Sequence, residues 1–210
     1  IVLTGVLIGA YGPESGSDGP DFEELVELLS ELPGMGRIRI SSIEMRQVTP
    51  RLVSLIQCGR VVPHLHIPLQ SGDTQVLADM NRPYTQDDYL RLCDSLYEAI
   101  PDISITADIM VGFPTETADR FESSLEVCRR AKYLKAHVFR FSPRFGTPAD
   151  QWGDLVPPQE KVARSVRLAE VSQQTAKEHV QKFVGRTMRV LVEGKETKDG
   201  LLTGFTDNYL

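Results

Sequence analysis

Residues 103–117 read Ile103-Ser104-Ile105-Thr106-Ala107-Asp108-Ile109-Met110-Val111-Gly112-Phe113-Pro114-Thr115-Glu116-Thr117, and this stretch decides the fold class. Its first nine residues form an apolar run of strand length. Gly112 and Pro114 then break the run, and Phe121, Leu125 and Cys128 follow at helical spacing. A strand that passes through a glycine turn into a helix is half of a βαβ unit. Comparable apolar runs occur at 2–8, 37–42, 64–69 and 137–141, with helical patterns between them. Phe22, Leu25, Val26, Leu29 and Leu32 mark one helix face after Pro20 and before Pro33-Gly34. Thr49-Pro50 opens a second helix with Leu52, Leu55 and Ile56 inward and Gly59 as its exit. Thr85 and Asp88 have the spacing of a capping box ahead of Tyr89, Cys93, Leu96 and Ile100. Five strands alternating with helices predict a parallel sheet, closed or open.

Beyond Pro157-Pro158 the period changes. Val162, Val166, Ala169, Gln173, Ala176, Val180 and Phe183 step by four and three, which predicts a heptad-like seam along one long helix. Lys161, Arg164, Arg167, Lys177 and Lys182 then fall on its polar faces. Two short strands, 187–193 and 201–206, joined by a Lys198-Asp199-Gly200 turn, follow Gly185. The expected organisation is therefore a β/α array over 1–157, a linking helix over 158–184 and the start of a small β module over 185–210. The glycine- and serine-rich stretch 12–19 reads as a loop. The chain opens inside an apolar run and closes just after a hairpin, so it is expected to be a fragment of a longer polypeptide.

Composition narrows the class. The 210 residues are 41% hydrophobic and 25% charged, close to the globular average, which excludes a disordered or fibrous chain. There is no apolar run of membrane-spanning length and no basic-then-apolar leader. Three cysteines make a disulfide framework improbable on count alone and fit a reducing, cytoplasmic setting. The net charge of -6 is uneven: residues 1–36 hold seven acids and no Lys or Arg, so the remainder sums to about +1. The acidic total argues against nonspecific nucleic-acid binding by bulk charge and leaves room for a local RNA-reading surface.

Ligands of parallel β/α arrays bind where the βα loops gather, at the carboxyl ends of the strands. Those ends carry Thr4 and Gly5, then Ser41, Ser42 and Glu44, then Gln70, Ser71 and Gly72. Next come Asp108, Gly112, Phe113, Pro114, Thr115 and Glu116, and last Ser142, Arg144 and Gly146. Polar, glycine-rich exits at all five ends point to one shared polar ligand site. Gly112 to Glu116 lacks a P-loop lysine and the G-x-G-x-x-G spacing, but offers close backbone approach and the free N–H groups of a helix start. Cys93 and Cys128 lie on inward helix stripes, Cys58 precedes a helix exit, and no cysteine has a partner at metal-ligand spacing. His64, His66, His137 and His179 form no Ser-His-Asp or H-E-x-x-H pattern.

Six segments in order carry a resemblance: Leu3-Thr4-Gly5, 37–44 ending Ser41-Ser42-Ile43-Glu44, 64–72 ending Leu69-Gln70-Ser71-Gly72, Met80-Asn81-Arg82-Pro83-Tyr84-Thr85, 108–117, and 141–149 ending Thr147-Pro148-Ala149. Together the chain resembles the radical S-adenosylmethionine (SAM) methylthiotransferases over essentially its whole length. Ser41-Ser42-Ile43-Glu44 is most similar to the MtaB-type branch, which acts on threonylcarbamoyladenosine in tRNA. The isopentenyladenosine and ribosomal-protein branches are the alternatives. The resemblance implies a partial parallel (β/α) barrel entered at its second strand and followed by the start of an RNA-gripping TRAM domain. It also implies SAM and two 4Fe–4S clusters in the full-length enzyme, whose cysteine ligands are absent from these residues and would lie upstream of Ile1. No metal ligand is expected here, and the fragment alone is expected to be inactive.

In that family SAM is reductively cleaved, C2 of adenosine 37 in the tRNA anticodon loop loses a hydrogen, and a methylated sulfur is inserted, with a reductant protein supplying electrons. The cofactor carries such chemistry, so no acid–base pair is needed from the chain. The resemblance places Thr4 and Gly5 at the methionine end of SAM, Gln70 and Ser71 at the ribose, and Gly112 and Phe113 at the adenine. Glu44, Arg82 and Arg144 are candidates for the substrate side; Arg82 is also readable as a loop brace and Glu44 as an ordinary ion-pair partner. Arg186 and Arg189 are further candidates for phosphate contact. An aldolase-like barrel would need a buried lysine or paired carboxylates at the strand ends, and a noncatalytic RNA-binding module would need a complete β domain and a basic total.

Overall fold

Side chains that accept backbone N–H groups start most of the helices. The computed structural model describes residues 1–12, 18–197 and 199–210, so most of the 12–19 loop and Lys198 of the hairpin turn lie outside the described residues. Asp21 caps α1 (Phe22–Ser30) through a capping box with Glu24. Thr49 accepts from Leu52 N–H at α2 (Pro50–Gln57), and Asp73 caps α3 (Thr74–Asp79). Thr85 and Asp88 exchange bonds at the start of α4 (Gln86–Ala99), as their spacing predicts. Thr117 caps α5 (Ala118–Ala131) and Thr147 caps the short α6 (Pro148–Trp152). The sequence pattern does not indicate α3 or α6: six and five residues are too few to show a helical period.

The described residues form two compact units. The first comprises Ile1–Ile67, Ser95–Ser104 and Phe183–Leu210. Here β1 (Val2–Leu3) pairs in parallel with β2 (Arg39–Ile40), and Ser42 bridges in parallel to His66 at the end of β3 (His64–His66). These strands are shorter than their apolar runs. Val6, for instance, stands in solvent, and Ile8–Ala10 forms a 3-10 turn. Ile38, Ile40, Ile43, Leu52 and Leu65 supply the buried core. The second unit comprises Pro68–Asp94 and Ile105–Lys182. In it β4 (Ser104–Val111) pairs in parallel with β5 (Lys135–Arg140), and Gln70 bridges in parallel to Ile109. The α/β class with parallel pairing is thus as the alternation predicts.

The long helix departs from expectation. In α7 (Pro158–Gln181) the buried positions are Lys161, Arg164, Leu168, Ser172, Thr175 and His179, while Val162, Val166 and Val180 are 43%, 51% and 41% exposed. The predicted valine seam faces outward and the polar stripe faces the unit. Heptad spacing identifies residues that share a face but not which face is covered. The polar stripe is the one with partners: the Ser172 hydroxyl accepts the Ala136 N–H of β5, and Lys161 and Arg164 bind carbonyls. Arg167 makes a surface pair with Glu122.

The C-terminal strands β6 (Val190–Glu196) and β7 (Leu202–Thr206) form an antiparallel hairpin with a register shift between Val192 and Glu196. Two arginines flanking the start of β2 hold it. Arg37 pairs with Asp207 at 2.6 Å and donates to the carbonyls of Phe205 and Arg189; Arg39 donates to the carbonyls of Thr206 and Asp207. Tyr209 stacks on His64 at 4.4 Å and on Phe205 at 4.5 Å, with the Arg39 guanidinium 4.6 Å from its ring centre.

Burial, and then the neighbouring Arg39 charge, depress the His64 pKa from 6.5 to about 3. The unfolded imidazole takes up a proton as pH falls through 6.5 and the folded one does not, so stability is lost progressively from there down to the folded pKa. At about 1.4 kcal/mol per unit, the loss attributable to this residue at pH 4 is about 3 kcal/mol. His64→Phe, which retains a ring for Tyr209, is expected to remove this part of the acid sensitivity. Urea midpoints of both proteins at pH 7 and pH 4 check it: an equal drop in both refutes the assignment.

Candidate functional site

The carboxyl ends of β4 and β5 open onto a cavity of about 450 Å³ in the second unit. Its walls are Gln70, Met80, Asn81, Arg82, Met110, Phe113, Phe141, Thr147 and Trp152, with Asp79, Pro148 and Ala149. Phe113 contacts Phe141 edge-to-face at 5.3 Å and Trp152 at 5.6 Å. Two non-glycine residues of this wall hold left-handed backbone, Gln70 (φ 72) and Asn81 (φ 57). Such conformations cost of order 1–3 kcal/mol and cluster at functional sites.

Gln70 is held by the strand beside it. Its N–H donates to the Asp108 carbonyl and its own carbonyl accepts the Met110 N–H, both at 2.8 Å. Its half-buried side-chain amide has no hydrogen-bond partner among the described residues and faces the cavity. Ser71 is fully buried and spends its hydroxyl accepting from Asp73 N–H. At Gly72 a Cβ would lie 2.5 Å from the Ser124 backbone, so the turn closes against α5 only with glycine.

Gly112 (φ 77) needs glycine for a similar reason. An added Cβ would meet the Lys161 alkyl chain at 2.5 Å, so Gly112 faces α7 while Phe113 faces the cavity. Glu116, 2% exposed, closes this turn. Its Oε1 accepts Gly112 N–H at 2.8 Å and Arg164 at 2.7 Å, and Arg164 also donates to the Glu116 carbonyl and to Glu160. Burial pushes the Glu116 carboxyl above its ordinary range. Lys161 donates to the Phe141 carbonyl at 3.0 Å and pairs with Asp154. Both aromatic walls are therefore tied to the first turns of α7.

Of the cofactor candidates, Gln70 and Phe113 line the cavity, and Ser71 and Gly112 shape the turns behind it. Thr4 and Gly5, both exposed, belong to the first unit, as does Glu44, the half-buried residue preceding a 3-10 turn. Arg82 lines the cavity rim and Arg144 lies on the exposed turn after β5. Met80, Met110, Phe141 and Trp152 were not singled out from the sequence. The one tryptophan of the chain, placed five residues after Thr147, was a usable signal. Arg186 and Arg189 are engaged by Asp102 and Asp207. Cys93 and Cys128 are buried, with thiols pushed up to about 12 by burial, and Cys58 is exposed. Among the described residues no group of three His, Cys, Asp or Glu side chains could hold a metal ion. These residues therefore do not fit an iron–sulfur cluster.

A parallel β/α array with a cofactor-sized cavity at its strand ends defines the class, and comparison with known proteins is specific. The sequence pattern of the Radical SAM superfamily matches residues 10–128. The chain belongs to the radical SAM superfamily. It is 39% identical to tRNA-2-methylthio-N(6)-dimethylallyladenosine synthase of Acetivibrio thermocellus over 98% of its length. It is 38% identical to threonylcarbamoyladenosine tRNA methylthiotransferase MtaB of Thermotoga maritima over 100%. It spans 43% and 48% of these relatives, less than half of each. Coproporphyrinogen III oxidase (HemN) of Escherichia coli, a radical SAM enzyme, shares the fold over 77% of this chain and 37% of its own, with a TM-score of 0.52 and 20% identity.

The Glu116–Arg164 contact yields a stability test. Arg164→Met leaves a buried carboxylate held only by the Gly112 N–H, and breaking such pairs costs about 3–5 kcal/mol. Glu116→Gln keeps an acceptor for Gly112 and is expected to cost less. Urea unfolding measures both; a loss under 1 kcal/mol for Arg164→Met, roughly the worth of a surface pair, contradicts the pairing.

Proposed function

We propose that this chain is the barrel portion of a radical SAM tRNA methylthiotransferase that holds SAM in the Phe113–Phe141–Trp152 cavity and modifies C2 of N6-threonylcarbamoyladenosine at position 37. The observation that carries the reading is the match to tRNA methylthiotransferases across 98–100% of the chain. The cavity gives it physical content. Phe113, Phe141 and Trp152 suit the flat faces of an adenine, and the uncommitted Gln70 amide can donate to and accept from a ribose diol. When bound, SAM supplies the hydrogen-abstracting chemistry. The chain's residues bind and orient it, and their apolar surfaces keep water away. Thr4 and Gly5 at the methionine end, Glu44, Arg82 and Arg144 on the substrate side, and a protein electron donor belong to the same reading. Ser41-Ser42-Ile43-Glu44 favours the threonylcarbamoyladenosine substrate, while the Acetivibrio relative supports the dimethylallyladenosine alternative.

Two measurements test this. Nucleoside digests of tRNA from cells in which the gene is disrupted are expected to lose the 2-methylthio group from N6-threonylcarbamoyladenosine and keep it on N6-dimethylallyladenosine. The reverse outcome selects the other branch. Isothermal titration of SAM into the full-length reconstituted enzyme is expected to show Gln70→Ala weakened by about 1 kcal/mol, the usual worth of one hydrogen bond. Phe113→Ala should lose more, because the wall on which adenine packs collapses. Tyr97→Phe should bind like wild type. Unchanged affinity in both site variants removes SAM from this cavity.

A further inference from the structure

The turn between β5 and α6 leaves an aromatic ring in water. Phe145 is fully exposed, although Phe141 and Thr147 on either side of its turn both line the cavity. The turn is braced: the Thr147 N–H and hydroxyl donate to the Arg144 carbonyl at 3.2 and 2.8 Å. Gly146 (φ 82) takes the second corner, where a positive φ is needed, and this fixes Phe145 at the first corner. Arg140 and Arg144 are exposed, and neither guanidinium makes an ion pair or hydrogen bond among the described residues. Arg120, Arg129, Arg164 and Arg167 of the same unit are all paired. Residues 139–148 hold two arginines and no acid in a chain of net charge -6.

A ring held out to solvent next to one uncommitted cation in sequence, with a second five residues before it, has the chemistry of single-stranded nucleic-acid binding. A base stacks on the ring, and the adjoining phosphates meet the guanidinium groups. We propose that Phe145, with Arg144 next to it in sequence and Arg140 at the end of β5, is a stacking platform for an unpaired base of an RNA loop, beside the cavity. The inference rests on the tRNA reading above and adds to it a residue, a contact and a strand state. Paired RNA keeps its bases stacked internally and offers the ring nothing.

The test is titration of the full-length enzyme with an RNA hairpin carrying an unpaired loop, and with a duplex of the same stem, at several salt concentrations. Base–aromatic stacking is worth about 1–3 kcal/mol, so Phe145→Ala is expected to weaken hairpin binding at least about fivefold. The duplex affinity and the hairpin's salt slope should not change, and Phe145→Tyr should restore the affinity. Arg144→Gln is expected to lower the salt slope of hairpin binding by about 0.7, one phosphate contact on a single strand. Wild-type hairpin affinity in Phe145→Ala overturns the platform, as does an equal loss on hairpin and duplex. Sedimentation showing that Phe145→Ala only dissolves a self-associated form, with RNA affinity intact, overturns it in favour of a protein contact. If the wild-type enzyme binds no hairpin, the tRNA reading falls and the platform with it.

Discussion

The carboxylate of Glu116 is the constraint on which the cavity depends. It is buried four residues beyond Gly112, and its Oε1 takes the Gly112 N–H and the Arg164 guanidinium together. One turn further towards the helix start, Lys161 reaches the Phe141 carbonyl while its alkyl chain fills the space that glycine leaves at position 112. The walls supplied by β4 and β5 thus have a common fixture on α7. Removing charges from water offsets much of their mutual attraction, so such a pair is poor evidence for added stability. What it specifies is position: the Phe113 and Phe141 rings meet at 77° because their backbones are held from behind.

Arginine use divides along the chain. In the first unit Arg37, Arg39, Arg186 and Arg189 are spent on the hairpin carbonyls, on Asp207 and on Asp102. Those side chains tie the hairpin down. Among the described residues Arg140 and Arg144, on and beside the β5–α6 turn, are exposed arginines without partners, as is Arg130 on α5. Some of the positive charge available to phosphate therefore lies in the sequence segment that also supplies the cavity wall.

Gln70 shows how strand-end chemistry becomes site chemistry. Its backbone is fully satisfied by Asp108 and Met110, and a left-handed φ turns its side chain out of the strand alternation. The amide can then face the cavity, whereas the next residue, Ser71, faces inward and only braces the turn. Adjacent residues of one motif thus differ in kind of work.

Capping signals at Thr49 and Thr85, the strand–helix alternation and the glycine breaks were legible in the sequence, because each is a local hydrogen-bonding or steric requirement met within four residues. That Gln70 and Phe113 stand at neighbouring strand ends was legible too, since parallel β/α arrays gather strand ends. The orientation of α7 was not. Its valines repeat as regularly as its polar residues, and only partners far along the chain, such as Glu116, 48 residues before Arg164, decide which stripe is covered. The same holds for Met80, Met110, Phe141 and Trp152: each is an ordinary apolar residue until tertiary packing sets them around one cavity. Sequence alone determined the elements and the family, because those are written in local spacing. The tertiary structure decided which charges are buried and which rings face the cavity, because burial depends on neighbours that spacing does not name.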